Sequence, residues 1–130
     1  MTSRRAARAV APLALALAAL ATACSSGSSA ASDTAPFNLP DKPVATDQVQ
    51  LPRSYRFEPR VIQVKQGGKV TWTNHDDFPH TVQILAGADA ATHDLGIGKT
   101  VTISFDRAGT VYYQCSLHPA QMKGEVIVTP

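Results

Sequence analysis

From Asp47 onward, apolar residues recur at every second position in short runs set apart by turn residues. Val49 and Leu51 alternate, Phe57 and Pro59 lead into Ile62 and Val64, and Gly67-Gly68 turns the chain into Val70, Trp72 and Asn74. Beyond a polar loop from His75 to Pro79 the alternation resumes at Val82 and Ile84, then at Val101, Ile103 and Phe105. Past Ala108-Gly109 it continues at Val111, Tyr113 and Cys115, and Gly124, Val126 and Val128 close the series. Period two lines one face of a strand, and no stretch carries convincing helical periodicity, so the region is all-β. One-sided strands separated by glycine turns must cover their apolar faces, which predicts a two-sheet sandwich. Trp72, in phase with Val70, belongs to the core, and Tyr113 likewise; Tyr112, out of phase, is expected to face solvent.

The chain before Asp47 reads differently. Arg4, Arg5 and Arg8 precede an apolar stretch from Ala9 to Leu20 and the tetrapeptide Ala21-Thr22-Ala23-Cys24. The stretch is short for a membrane span and has the layout of an export signal. A cysteine directly after small residues resembles a bacterial lipoprotein cleavage box, which predicts a signal peptide over 1–23 and lipid attachment at Cys24. Ala21 stands where that box usually has leucine, and a plain secretory signal cut nearby is the alternative. The Arg4-Arg5 pair points to twin-arginine export, but the apolar residues expected just after such a pair are missing. Residues 25–46 are Ser, Ala, Gly, Pro and Asp with only Phe37, Leu39 and Val44 as sizeable apolar groups. Such a run cannot bury enough to fold alone, so 24–46 is expected to be a flexible tether and 47–130 the domain.

Length and charge narrow the function. A chain of 130 residues holds one domain and a targeting segment. The formal charge of +2 comes from the leader: removing Arg4, Arg5 and Arg8 from twelve basic residues leaves nine against ten acidic ones. No basic stretch remains to suggest nucleic acid. Two cysteines in an exported chain invite a disulfide. Cys24, at a lipidation box before a flexible run, and Cys115, inside a cluster of possible ligands, each have a better local explanation.

That cluster is Tyr113-Gln114-Cys115-Ser116-Leu117-His118-Pro119-Ala120-Gln121-Met122-Lys123-Gly124. Cys115 ends one apolar strand and Met122 begins the next, so paired strands close the loop at both ends and leave its donors little freedom. His80, at the strand boundary after Phe78-Pro79, adds a second imidazole. A thiolate, two imidazoles and a thioether lie between the preferences of Cu(I) and Cu(II), and a trigonal His₂Cys plane with a long axial Met is the blue-copper arrangement. Structural zinc favours several cysteines and rarely takes methionine. A Cys-His catalytic pair explains neither Met122 nor the second histidine, and no third polar group is evident to orient it. His75 and His93, beside Asp76 and Asp94 in polar loops, read as solvated surface groups.

Phe57-x-Pro59, Ile62-x-Val64, Gly67, Val70-x-Trp72-x-Asn74, Phe78-Pro79-His80, Phe105, Gly109, Tyr113-x-Cys115-x-x-His118-Pro119, Met122 and Gly124 together resemble the cupredoxins of plastocyanin and amicyanin type. The resemblance covers nearly all of 47–130. It implies an eight-stranded Greek-key β-sandwich with one type 1 copper at one end, His80, Cys115 and His118 in the plane and Met122 axial. It also implies an apolar patch around the outer edge of His118 as electron portal. Two features depart from it. Three residues separate His118 from Met122, where amicyanin-like proteins have two and plastocyanins four, and Thr81 follows the first ligand where many relatives have an asparagine that ties the ligand loops together.

The expected function is therefore one-electron transfer between exported or membrane redox proteins, by a monomer that is not itself an enzyme. It would be lipid-anchored on the outer face of a bacterial cytoplasmic membrane, or periplasmic. The alternative is a cell-envelope protein that stores or delivers copper. A detached module of a multicopper oxidase or nitrite reductase would need further copper ligands, which the sequence lacks.

Overall fold

The computed structural model describes residues 35–87 and 89–130. The expected signal peptide 1–23, Cys24 and residues 25–34 lie outside them. Among the described residues there are nine strands in chain order: β1 Val44–Ala45, β2 Gln48–Leu51, β3 Val61–Lys65, β4 Gly68–Asn74, β5 His80–Ile84, β6 Thr92–Leu95, β7 Thr100–Phe105, β8 Gly109–Gln114 and β9 Lys123–Thr129. They form the two sheets that the alternation predicts, one ordered β1-β3-β9-β8-β5-β6 and the other β2-β4-β7. The two-residue β1 adds a ninth strand to the eight that the resemblance implies.

Period-two residues meet between the sheets. Val49, Leu51, Val70, Trp72, Ile103 and Phe105 come from the three-stranded sheet, and Ile62, Val82, Ile84, Tyr113, Val126 and Val128 from the six-stranded one. Trp72 is fully buried, with its ring edge-on to Tyr113 at 5.3 Å and tilted toward Phe105 at 6.3 Å. Phe57 meets Tyr113 from another side at 4.9 Å. Complete burial pushes the Tyr113 phenol up, so it stays neutral in the core.

Two glycines are dictated by geometry. Gly67, between β3 and β4, has φ +80°, a conformation that costs other residues energy. Gly124 faces Tyr113 across the β8–β9 pair, and the tyrosine ring crosses the space that a Cβ at position 124 would occupy.

The sheet reaches further than the sequence pattern indicates. Residues expected to belong to the tether lie against the domain. Phe37 sits edge-on to Tyr112 at 5.3 Å with the Lys123 ammonium 5.6 Å from its ring centre, and Asp41 pairs with Arg60 at 2.7 Å. The Leu39 amide donates to the Glu125 carboxylate, and β1 runs parallel to β3 with Val44 opposite Ile62. Tyr112, expected to face solvent, is half-buried for this reason. The segment does not fold by itself; it borrows an existing edge and one aromatic contact. At the far edge, Thr92–Leu95 pairs antiparallel with β5, so His93 lies half-buried in a strand rather than in a polar loop.

Candidate metal centre

Three strand ends converge at one end of the sandwich: His80 opens β5, Cys115 follows β8 and Met122 precedes β9. The connecting loop is wound on itself by backbone hydrogen bonds. The His118 amide donates to the Cys115 carbonyl at 3.1 Å, and the Met122 amide to the His118 carbonyl at 3.0 Å. The Cys115 amide donates to the Met122 carbonyl at 3.0 Å, closing the loop. These bonds fix the backbone from which Cys115, His118 and Met122 project.

Cys115 Sγ lies 3.7 Å from His80 Nδ1 and 3.8 Å from His118 Nδ1. The three donor atoms lie within 4.8 Å of one another. These separations suit a common centre about 2.0–2.3 Å from each nitrogen and sulfur atom, the length of ordinary metal bonds to imidazole and thiolate. Cys115 and Met122 are wholly buried, His80 nearly so, and His118 is half-buried. A soft, dry donor set with one ligand edge toward solvent fits a copper ion that exchanges electrons without meeting water.

The surroundings fix the donors. Asp76, in the polar loop from His75 to Pro79, is buried, and its carboxylate lies 2.9 Å from His80 Nε2. Burial alone would raise the Asp76 carboxyl, but its hydrogen bonds with His80 and the Asp77 amide hold it below the usual carboxylate range. An ionised Asp76 requires the proton on His80 Nε2 and leaves Nδ1 free to coordinate. Asn74 anchors this loop, donating to the carbonyls of Phe78 at 2.8 Å and Leu95 at 3.1 Å and accepting from the Asp76 amide at 2.8 Å.

Thr81 ties the two ligand loops together. Its hydroxyl accepts from the Ser116 amide at 2.8 Å and lies 2.9 Å from the Ser116 hydroxyl, while its amide donates to Cys115 Sγ at 3.4 Å. The shorter threonine side chain therefore bridges the loops at the place where relatives use asparagine.

The family model for copper binding proteins of the plastocyanin/azurin family matches residues 48–129. The chain belongs to that family. Its metal is copper, and the zinc and Cys-His readings fall away. A chloroplastic plastocyanin from Tetradesmus obliquus is 42% identical over 55% of this chain, which spans 57% of that protein's length. Amicyanin-alpha from Methylorubrum extorquens is 33% identical over 68% of this chain and 76% of its own. A purple cupredoxin from Nitrosopumilus maritimus superposes with a TM-score of 0.59 at 26% identity, covering 65% of this chain and 100% of that one.

As a cupredoxin, the chain offers one metal-binding group of histidine, cysteine or acidic residues among the described residues, and that group is His80, Cys115 and His118. His75 lies outside it with its ring 2.6 Å from the Gln50 side chain, and His93 lies outside it on β6. Sequence reasoning missed Tyr55, whose ring centre is 4.7 Å from that of His118 and 6.0 Å from that of His80. It falls in a loop after β2 with no alternation to give it a side.

Proposed function

We propose that this cupredoxin carries single electrons between exported or membrane redox proteins, and that His80, Cys115, His118 and Met122 are the residues that would hold its copper. The reading rests on the convergence of the His80, Cys115 and His118 donor atoms, two of them on buried side chains, in loops tied together by backbone hydrogen bonds and by the Asp76, Thr81 and Asn74 contacts. Copper bound there supplies one electron at a time by passing between Cu(I) and Cu(II). The protein's part is to keep one arrangement for both states, exclude water and leave the outer edge of His118 accessible. Four protein donors leave no position for a substrate, which supports a carrier rather than an enzyme.

Around His118 the surface is apolar. Phe78 and Leu117 are each more than half exposed, at 51% and 56%, and Tyr55 lies beside them. Exposed apolar groups clustered at a functional edge are the usual mark of a transient docking face. The chain would act as a monomer and meet its partners here. The export signal, cleavage before Cys24 and lipid attachment at Cys24 place it, in this reading, on the outer face of the cytoplasmic membrane or in the periplasm, on a tether shortened by the docking of residues 36–45.

Charged substitutions at this face provide the test. Phe78→Lys and Leu117→Lys should each slow electron exchange with small redox proteins by about tenfold, the factor given by roughly 1.4 kcal/mol of lost docking energy. Copper content and visible spectrum should stay unchanged. Stopped-flow exchange rates equal to wild type in both variants would put the docking face elsewhere.

A further inference from the structure

The two histidines of the centre are held in different ways. His80 has its outer nitrogen tied to the buried Asp76 carboxylate. Among the described residues no hydrogen bond fixes the outer nitrogen of His118, which is also the more exposed of the two. Its ring plane must be set by packing, and the ring nearest to it is that of Tyr55, 4.7 Å away and tilted by 59°. The same tyrosine stacks on Phe78 at 5.7 Å and 25°, so its ring stands between the two ligand loops.

Tyr55 is held there at a cost. Ser54 and Tyr55 have φ of 132° and 51°, a region that non-glycine residues rarely adopt. Side chains from both sides hold the turn: Arg56 donates to the Ser54 hydroxyl at 2.6 Å, and Arg53 pairs with Asp77, next to Asp76 in the His80 loop, at 3.0 Å. A strained turn whose product is an aromatic ring set against a ligand histidine has the form of a positioning device.

We infer that Tyr55 is a positioning residue that holds the His118 imidazole in its coordinating orientation, performing by ring packing what Asp76 performs for His80 by hydrogen bonding. This rests on the reading of His118 as a copper ligand. The ring, not the hydroxyl, is the active feature, so Tyr55→Phe should reproduce the wild type, whereas Tyr55→Leu and Tyr55→Ala should release His118. Aromatic contacts of this kind change populations by about two- to tenfold.

The test uses the full chain without metal and then with Cu(II). In the metal-free protein, nuclear magnetic resonance should show one sharp set of His118 ring signals with cross-peaks to Tyr55, retained in Tyr55→Phe. In Tyr55→Leu and Tyr55→Ala those signals should broaden or shift toward rotamer averages while the Trp72 signals stay put, showing the fold intact. After Cu(II) loading, the same two variants should show a changed electron paramagnetic resonance spectrum, and Tyr55→Phe should not. His118 ring signals and Cu(II) spectra unchanged in Tyr55→Leu and Tyr55→Ala would overturn the inference. The metal-free readout does not involve copper, so this failure is distinct from a failure of the wild-type protein to form a coloured site.

Discussion

Cys115→Ser should lose essentially all of the intense visible absorption of the Cu(II) protein. Its sulfur is the donor placed against both imidazoles, at 3.7 and 3.8 Å, on a fully buried side chain. A serine oxygen is harder, does not ionise near neutral pH and cannot supply the thiolate-to-copper transition that gives the colour. Met122→Gln should behave differently. With the His₂Cys plane intact the site should stay coloured, and the amide oxygen should favour Cu(II) and lower the reduction potential. Each tenfold change in the ratio of Cu(II) to Cu(I) affinity moves a one-electron potential by about 59 mV. Optical spectra and voltammetry of the two variants check both statements, and an unaltered spectrum in Cys115→Ser would remove that residue from the site.

The second large effect is expected in the core, through packing rather than through a ligand. Gly124→Ala would place a methyl group in the space that the Tyr113 ring occupies, and that ring is packed between Trp72 and Phe57 with nowhere to move. Overpacking of a filled core costs about 1–3 kcal/mol, and this overlap, directly into a fully buried ring, belongs at the upper end. For a domain of this size the cost corresponds to a drop of roughly 10–20 °C in melting temperature. Thermal melts of the metal-free protein followed by near-ultraviolet circular dichroism should show it. A melting temperature within a few degrees of wild type would mean that the ring can step aside. Because Tyr113 is two residues from Cys115 and Gly124 two from Met122, the substitution should also loosen the closed ligand loop.

The sandwich and three of the four candidate ligands were legible because they depend on local order in the chain. Period two shows which side of a strand a residue takes, and it placed Val70, Trp72 and Tyr113 in the core. Cys115, His118 and Met122 share one short loop, so their spacing displays the donor set directly. What was not legible depends on contacts between distant segments. Asp76 is only a neighbour of His75 in a polar loop until the loop folds back and sets its carboxylate against His80. Phe37 stands alone in a polar run, and only the fold reveals that its partner is Tyr112, whose phase alone suggests solvent. Tyr55 owes its place to two residues with positive φ, which side-chain patterning does not encode. Thr81 is intermediate: the sequence identified its departure from the family, and the structure shows how its hydroxyl still bridges to Ser116.

The central claim is that this site moves electrons and keeps its metal. It separates a carrier from a protein that delivers copper, because a carrier must hold Cu(I) as firmly as its cycle requires, while a delivery site must release it to an acceptor. The direct measurement is repeated oxidation and reduction of the purified, copper-loaded protein in the presence of a moderate Cu(I) chelator, with protein colour and chelator-bound copper followed together. Full return of the colour is expected in cycle after cycle, with no copper passing to the chelator and rapid electron exchange with small redox proteins. Rapid loss of Cu(I) to the chelator together with sluggish exchange would contradict it and assign the protein to copper delivery.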